Sequence, residues 1–271
     1  RATSTPISDR NTDPAEASRD QAGVDALHDT DPEQIAPEVI TALRQVRAEL
    51  PDETALLGFC GAPWTLAAYL VEGRGVKDFP TLRAFAAAEP AALDSLLAKL
   101  ADLMVHYLIN QVRAGADAVQ IFDSWAGVLS LADWERFIRP HLHALLEAPG
   151  NAGVPRILFL QNAPHLVDAY ASLPAEVLGC DWRAQLPTLQ NRYQAGLALQ
   201  GNIDPAILLG GAEPTRAAAK DLLESVNATG HIVNLGHGIL PNTPLESVEA
   251  LIEAVHNELE LTQQRPALAG G

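Results

Sequence analysis

Short apolar runs alternate with helix-like patterns along most of the chain. Each of the six runs ends in small or polar residues, and they cover positions 56–60, 118–122, 157–160, 177–180, 197–200 and 232–235. Continuous apolar strands that alternate with helices are typical of a parallel sheet covered on both faces, as in a doubly wound fold or a barrel. Both folds place their functional groups at the carboxyl ends of the strands, where this sequence has its polar residues.

Helical spacing of apolar residues predicts three prominent helices. The first begins at Asp31 and ends before Pro51, the second covers 91–114 and is closed by Gly115, and the third covers 244–261. The predicted organisation is therefore an irregular, polar lead-in over 1–30, a single α/β domain over 31–261 and a flexible tail over 262–271.

A closed (β/α)8 barrel has eight strands, whereas only six apolar runs are visible in this chain. The barrel interpretation therefore expects two further β/α units, roughly 80 residues, ahead of Arg1. The first residue is not methionine, and the only methionine is Met104, which favours a chain that begins inside a longer gene product. An open six-stranded sheet is the alternative.

Composition narrows the class of protein. Hydrophobic residues make up 48% of the chain and charged residues 19%, a balance typical of a soluble globular protein. The net charge of −16 argues against nucleic acid or an anionic membrane surface as a partner. Residues 1–21 lack the apolar core of a signal peptide, no apolar run reaches the roughly 20 residues of a membrane span, and the two cysteines are far apart. These features predict a cytoplasmic protein whose partners are small molecules or protein.

Four segments, in this order, resemble uroporphyrinogen decarboxylases. They are 58–73 (GFCGAPWTLAAYLVEG), 115–127 (GADAVQIFDSWAG), 199–205 (LQGNIDP) and 234–241 (NLGHGILP). The shorter segment 179–182 (GCDW) also fits, and the similarity extends from about Asp31 to about His256. The resemblance implies a single-domain (β/α)8 barrel that acts without metal or prosthetic group, as a homodimer. It also implies an activity in haem biosynthesis, in which the four acetate side chains of uroporphyrinogen III lose CO2 to give coproporphyrinogen III.

Two motifs of the resembled family are absent from this sequence. They are an arginine-rich Met-Arg-Gln-Ala-Gly-Arg-Tyr run and a Phe-Ser-Asp-Ile strand. In the family, the arginines of the first motif bind substrate carboxylates, and the aspartate of the second motif accepts hydrogen bonds from the pyrrole N–H groups. Because no residue here matches them, we expect the gene product to be the decarboxylase but this chain to have little activity.

The chemistry requires a proton donor and a means of stabilising positive charge. Protonation of a pyrrole ring carbon creates a cationic electron sink, CO2 then leaves the adjacent methylene, and that carbon is reprotonated as the ring regains aromaticity. The substrate therefore serves as its own electron sink. Arginines would neutralise its acidic side chains, and a carboxylate would stabilise the cation.

The resemblance carries three catalytic and substrate-binding candidates over to this chain: Tyr69, Ser124 and His237. The phenol of Tyr69 and the hydroxyl of Ser124 could hydrogen bond a substrate carboxylate, and the imidazole of His237 could bind one between its flanking glycines. Asp123 is a further substrate-binding candidate, which could orient Tyr69 or be solvated at the barrel mouth. The structural alternatives are a tyrosine packed against the sheet, a serine that caps the next helix and a satisfied turn histidine.

Two other functions stay open on sequence grounds. A corrinoid-linked methyltransferase of the same fold would bind zinc through histidine and cysteine, but Cys60 and Cys180 lack such partners, and His106, His141, His143 and His165 have no metal-site spacing. A noncatalytic chain that binds tetrapyrrole or only dimerises is the second alternative. The decarboxylase interpretation predicts that Tyr69, Ser124 and His237 lie together at one mouth of the barrel, at the carboxyl ends of its strands.

Overall fold

The computed structural model describes residues 20–28, 30–73, 76–193 and 196–264. The chain divides into two compact units, Arg1–Val154 and Pro155–Gly271. Residues 1–19 of the predicted lead-in and 265–271 of the predicted tail lie outside the described residues.

The first unit contains two parallel strands, β1 (Leu57–Gly61) and β2 (Ala118–Asp123), with Leu57 opposite Ala118. Its α-helices are α1 (Gln21–Asp25), α2 (Pro37–Glu49), α3 (Pro63–Glu72), α4 (Pro80–Ala88), α5 (Pro90–Arg113), α6 (Leu131–Asp133) and α7 (Arg139–Asn151). Helices α2 to α5 all begin with proline, which has no N–H to leave unpaired in the first turn. A π-helical turn, Trp134–Ile138, lies between α6 and α7.

The second unit contains four parallel strands: β3 (Arg156–Leu160), β4 (Val177–Cys180), β5 (Ala198–Ile203) and β6 (His231–Leu235). Each strand pairs with the next one along the chain. The α-helices of this unit are α8 (Val167–Ala171), α9 (Leu186–Arg192), α10 (Ala212–Ser225) and α11 (Leu245–Gln264). Within this unit the strand order never reverses, as it would at the switch point of a doubly wound sheet, so its winding is that of a barrel.

The apolar runs of the sequence form buried strands in the core. All four residues of β4 are buried, as are the last four of β3, because both faces of these strands are covered. Helix α5 buries one side, including Leu93, Leu97 and Leu108, in the first unit. In the second unit Ile203, Leu208 and Ala219 form a buried cluster under α10 and α11.

The predicted strands and the two long helices are confirmed to within three residues at each end. Gly115 follows α5 with a φ of +108°, a left-handed conformation that glycine adopts without strain. Asp20 caps α1 inside the segment expected to be irregular. Within the described residues, the structure has no helix that combines the length and the apolar character needed to cross a bilayer.

One predicted helix is wrong at its start. The helix expected from Asp31 is instead a 3-10 turn over Pro32–Gln34 followed by α2, which begins only at Pro37. The residue before a proline is sterically disfavoured in the α region, and Ala36 adopts a left-handed φ of 44°. The second proline therefore divides the helix.

A buried glutamine completes one edge of β1. The side chain of Gln111 in α5 accepts a hydrogen bond from the Phe59 N–H and donates one to the Phe59 carbonyl, both at 2.9 Å. Leu56 and Ala62 bond across to the β2 segment, so the intervening Phe59 presents its peptide groups to the opposite edge. Gln111 is only 2% exposed, and its amide thus satisfies backbone groups that a neighbouring strand would otherwise bind.

Candidate active site

The first group of candidate residues lies where β1 and β2 end. Helix α3 begins directly after β1, and Thr65 and Tyr69 are one turn apart on it, so both lie on the same face. Asp123 is the last residue of β2, and Ser124 follows it. The local order of strand, short turn and helix thus brings Tyr69, Asp123 and Ser124 into one region of the first unit.

A buried hydrogen-bond chain links these two segments. The Ser124 N–H donates to the hydroxyl oxygen of Thr65, and that hydroxyl donates to Oδ1 of Asp123, each at 3.0 Å. Asp123 is 0% exposed and Thr65 only 4%, so the alternative that Asp123 is solvated at a mouth is wrong. Thr65 was not predicted as a site residue. Its sequence signals are its place in the segment 58–73 and its position one turn before Tyr69.

Ser124 does not cap the next helix, so that structural alternative is also wrong. The cap of α6 is Ser130, whose hydroxyl accepts the N–H of Asp133 at 3.1 Å. The short 3-10 turn that follows Ser124, Ala126–Val128, has no side-chain cap. Ser124 is half-buried, and its backbone is fixed by Thr65.

A cluster of aromatic side chains lies beside this chain of hydrogen bonds. Tyr69 is 52% exposed, so it is not a core tyrosine, and its ring meets that of Trp125 edge-on with centroids 6.3 Å apart. Phe79 packs on the same indole at 5.0 Å, and Trp64 donates from Nε1 to the Trp125 carbonyl. Tyr69 therefore presents its phenol from a surface suited to the face of a flat, partly apolar molecule.

The second group lies in the other unit, at the ends of β3 and β4. Asp181 follows β4 and is 5% exposed. Its carboxylate accepts the N–H of Asn162 at 2.6 Å, the N–H of Arg183 at 2.9 Å and the Arg183 guanidinium at 3.0 Å. The guanidinium also lies over the Trp182 ring, 4.1 Å from its centroid. Asp181 and Trp182 belong to the segment 179–182 that resembles the family, whereas Arg183 was not predicted as a site residue.

The turn that carries His237 packs directly on this segment. A Cβ atom on Gly236 would lie 2.3 Å from the Trp182 nitrogen, so only glycine permits this approach. His237 is exposed, and its Nδ1 accepts the Gly238 N–H at 2.6 Å. In the neutral ring the proton therefore resides on Nε2, which is left as a donor. The histidine is partly satisfied by its own turn, and no bond to Nε2 is present within the described residues.

Asn202 and Asp204 brace loops. The Asn202 amide donates to the carbonyls of Asp181 and Ala184, both at 2.8 Å, and Asp204 accepts the Ala206 N–H at the start of a 3-10 helix.

His231, the first residue of β6, gives the second unit a pH-dependent stability. Its Nε2 lies 2.8 Å from the Gly201 carbonyl, and burial lowers its pKa from the ordinary value of 6.5. The folded protein therefore binds this proton less readily than the unfolded chain, so the stabilisation is complete above pH 6.5 and falls as the pH drops below it. Urea denaturation at pH 7.5 and 5.5 should give a lower midpoint at pH 5.5. The difference should shrink in His231→Gln, and an unchanged difference would contradict the assignment.

Metal-ligating side chains are dispersed in the part of the chain that the structure describes, where no group of three histidine, cysteine, aspartate or glutamate residues could hold an ion. Cys60 and Cys180 are free and buried. Burial raises the pKa of Cys180 to about 12 and shifts the pKa of Cys60 in the same direction, so neither is a ready thiolate ligand.

The winding of the strands and the polar groups at their carboxyl ends define an α/β barrel enzyme. The uroporphyrinogen decarboxylase family model matches residues 8–258, and the chain belongs to this family. The uroporphyrinogen decarboxylase of Syntrophotalea carbinolica is 41% identical over 239 residues, which cover 88% of this chain and 70% of that protein. The enzyme of the same name from Mycobacterium marinum is 41% identical over 249 residues, with the same coverage of both chains.

Solved structures show the fold alone. A methyltransferase from Methanosarcina mazei superposes with a TM-score of 0.72 at 22% identity and covers 82% of this chain and 64% of its own. A B12-independent methionine synthase from Shewanella sp. W3-18-1 gives 0.56 at 12% identity, covering 82% of this chain and 67% of its own.

Family membership assigns the enzyme class, a carbon–carbon lyase that decarboxylates uroporphyrinogen in porphyrin biosynthesis. The methyltransferase alternative is not favoured, because the decarboxylases are far more similar in sequence than the solved methyltransferase is. The chain spans about 70% of the length of these two decarboxylases.

Proposed function

We propose that Tyr69, Ser124 and His237 contact carboxylates of uroporphyrinogen during its conversion to coproporphyrinogen, and that Asp123 acts through Thr65. The observation that carries this proposal is the hydrogen-bond chain from Ser124 through Thr65 to the buried Asp123, beside the half-exposed phenol of Tyr69. This arrangement fixes donors before the substrate arrives, which is the condition for electrostatic catalysis.

The proposed roles follow from the protons that each group has available. The hydroxyls of Tyr69 and Ser124 donate to acetate or propionate oxygens, and the Nε2–H of His237 donates to another carboxylate. Asp123 is buried, so it is a positioning residue that holds Thr65 and hence the Ser124 backbone.

Removing single hydroxyls tests these roles. Tyr69→Phe and Ser124→Ala should each lower kcat/KM by about 10- to 100-fold, because each variant loses one hydrogen bond to a charged carboxylate. The assay is anaerobic formation of coproporphyrinogen, run at an enzyme concentration high enough to detect the low activity expected of this chain, with the Mycobacterium marinum decarboxylase as a positive control. Matched controls are Tyr193→Phe, whose hydroxyl donates to the exposed carboxylate of Asp168, and Ser95→Ala, whose hydroxyl donates to the Ala91 carbonyl of its own helix. Equal losses in test and control variants would refute the assignment.

We also propose that the chain acts as a homodimer in the cytoplasm. The resemblance to the decarboxylases supports the dimer, and the two free, buried thiols are compatible with a reducing compartment. Light scattering of the purified chain measures its mass directly, and a monomer at micromolar concentration would exclude the dimer.

A further inference from the structure

We propose that Arg183 binds a carboxylate of the tetrapyrrole substrate, an inference that rests on the proposed function. Arg183 lies outside the motifs that carry the family resemblance, although it directly follows the matched 179–182 segment. The ligand class is a carboxylate held by the two-pronged edge of a guanidinium.

The guanidinium is held in place from two directions. Its face stacks on Trp182 with 4.1 Å to the ring centroid, and its Nη1 donates to Oδ2 of Asp181 at 3.0 Å. Asp181 is itself fixed by the N–H groups of Asn162 and Arg183. An arginine anchored in this way loses little rotamer entropy when it binds a ligand, which favours affinity.

The anchoring leaves donors available. A guanidinium carries five N–H donors, and within the described residues only Asp181 accepts from that of Arg183. The Arg183 side chain is 46% exposed, whereas that of Asp181 is 6% exposed, so the ion pair is buried on one side only. The Nε and Nη2 donors form the edge that a carboxylate binds in a bidentate manner.

Asp181 binds the Arg183 guanidinium through Nη1, and its carboxylate also accepts two backbone N–H groups. Arg156, by contrast, binds Glu176 through both Nε and Nη2, so the edge that would bind a second carboxylate is already occupied. Arg192 pairs with Asp168, whose carboxylate is exposed. Since the chain carries a net charge of −16, a polyanion requires local positive charge of the kind that Arg183 supplies.

The location also fits a ligand site. Arg183 follows the carboxyl end of β4, the side of each strand where barrel enzymes bind substrate. The Gly236 turn packs against the Trp182 backbone, so His237 and Arg183 project from neighbouring parts of the same unit. Together they would offer an imidazole N–H and a guanidinium to the acidic edge of a tetrapyrrole.

Binding is measured with uroporphyrin, the stable oxidised form of the substrate, by its fluorescence anisotropy. We expect Arg183→Gln to weaken binding by about 10- to 100-fold and to flatten its dependence on salt. Arg183→Lys should stay at least about threefold weaker than the original chain, because an ammonium lacks the fork. The matched control, Arg192→Gln in the same unit, should bind within about twofold, as expected for an exposed ion pair.

A purely structural role for Arg183 makes a different prediction. If it only neutralised Asp181, Arg183→Lys would bind as tightly as the original chain, and that result overturns the proposal, as does unchanged binding by Arg183→Gln. Should Arg183→Gln fail to fold, the lysine variant alone decides. Where the chain turns substrate over, KM should rise with kcat nearly constant. Unchanged activity in Tyr69→Phe and Ser124→Ala would count against the proposed function but not against Arg183, whereas a chain that binds no uroporphyrin would overturn this assignment.

Discussion

Replacing Gly236 with alanine is expected to destabilise the second unit by about 2–3 kcal/mol, the cost of forcing an extra carbon into a filled space. The added Cβ would lie 2.3 Å from the nitrogen of Trp182 and 3.0 Å from the carbonyl carbon of Asp181. These neighbours are backbone atoms, which cannot rotate away as a side chain could. Urea denaturation followed by tryptophan fluorescence measures the change.

Gly238→Ala provides the matched control on the other side of His237. A Cβ there would meet nothing within 4 Å, so the free energy of unfolding should change by less than about 0.5 kcal/mol. Equal stability of the two variants would show that the turn can move away from Trp182. Because the turn carries His237, Gly236→Ala should also weaken uroporphyrin binding.

The second large effect is expected from Asp123→Ala. This change removes a fully buried carboxylate and leaves the Thr65 hydroxyl without the acceptor that orients it. An unsatisfied buried polar group costs about 1–3 kcal/mol, and we expect a comparable loss of stability together with a fall in kcat/KM of at least about 100-fold. Thermal unfolding and the anaerobic decarboxylase assay measure the two effects separately.

Variants of Thr65 separate positioning from folding. Thr65→Val keeps the side-chain volume but removes both hydrogen bonds, so kcat should fall by about tenfold or more while Thr65→Ser restores it. Thr215→Val is the matched control, since Thr215 is equally buried but donates only to the Gly211 carbonyl of its own helix. If serine failed to rescue activity, the hydroxyl of Thr65 would not be the group that positions Ser124.

The strands could be predicted from sequence because each is a continuous apolar run, a pattern that burial on both faces imposes. The start of α2 could not, since the helical spacing from Asp31 onward conceals the effect of Pro37 on the residue before it. Local pattern thus predicts an element more reliably than its boundary.

Some residues of the candidate site could likewise be predicted from the sequence and others could not. Tyr69, Ser124 and His237 could be predicted because they lie in motifs that resemble a family, and the structure places Tyr69 and Ser124 in one region of the first unit. Their convergence with His237 on one mouth stays a prediction. Thr65 and Arg183 were missed because their importance depends on contacts with Asp123 and with the Trp182 ring, which no periodicity reveals.

The bond between Gln111 and Phe59 bears on how the protein behaves in concentrated solution. An uncovered strand edge offers peptide groups to any extended segment of another molecule, and such pairing starts aggregation. At Phe59 the amide of Gln111 already occupies both peptide groups from within the chain. A foreign strand would first have to displace a buried side chain, so this stretch of β1 resists recruitment into intermolecular sheets.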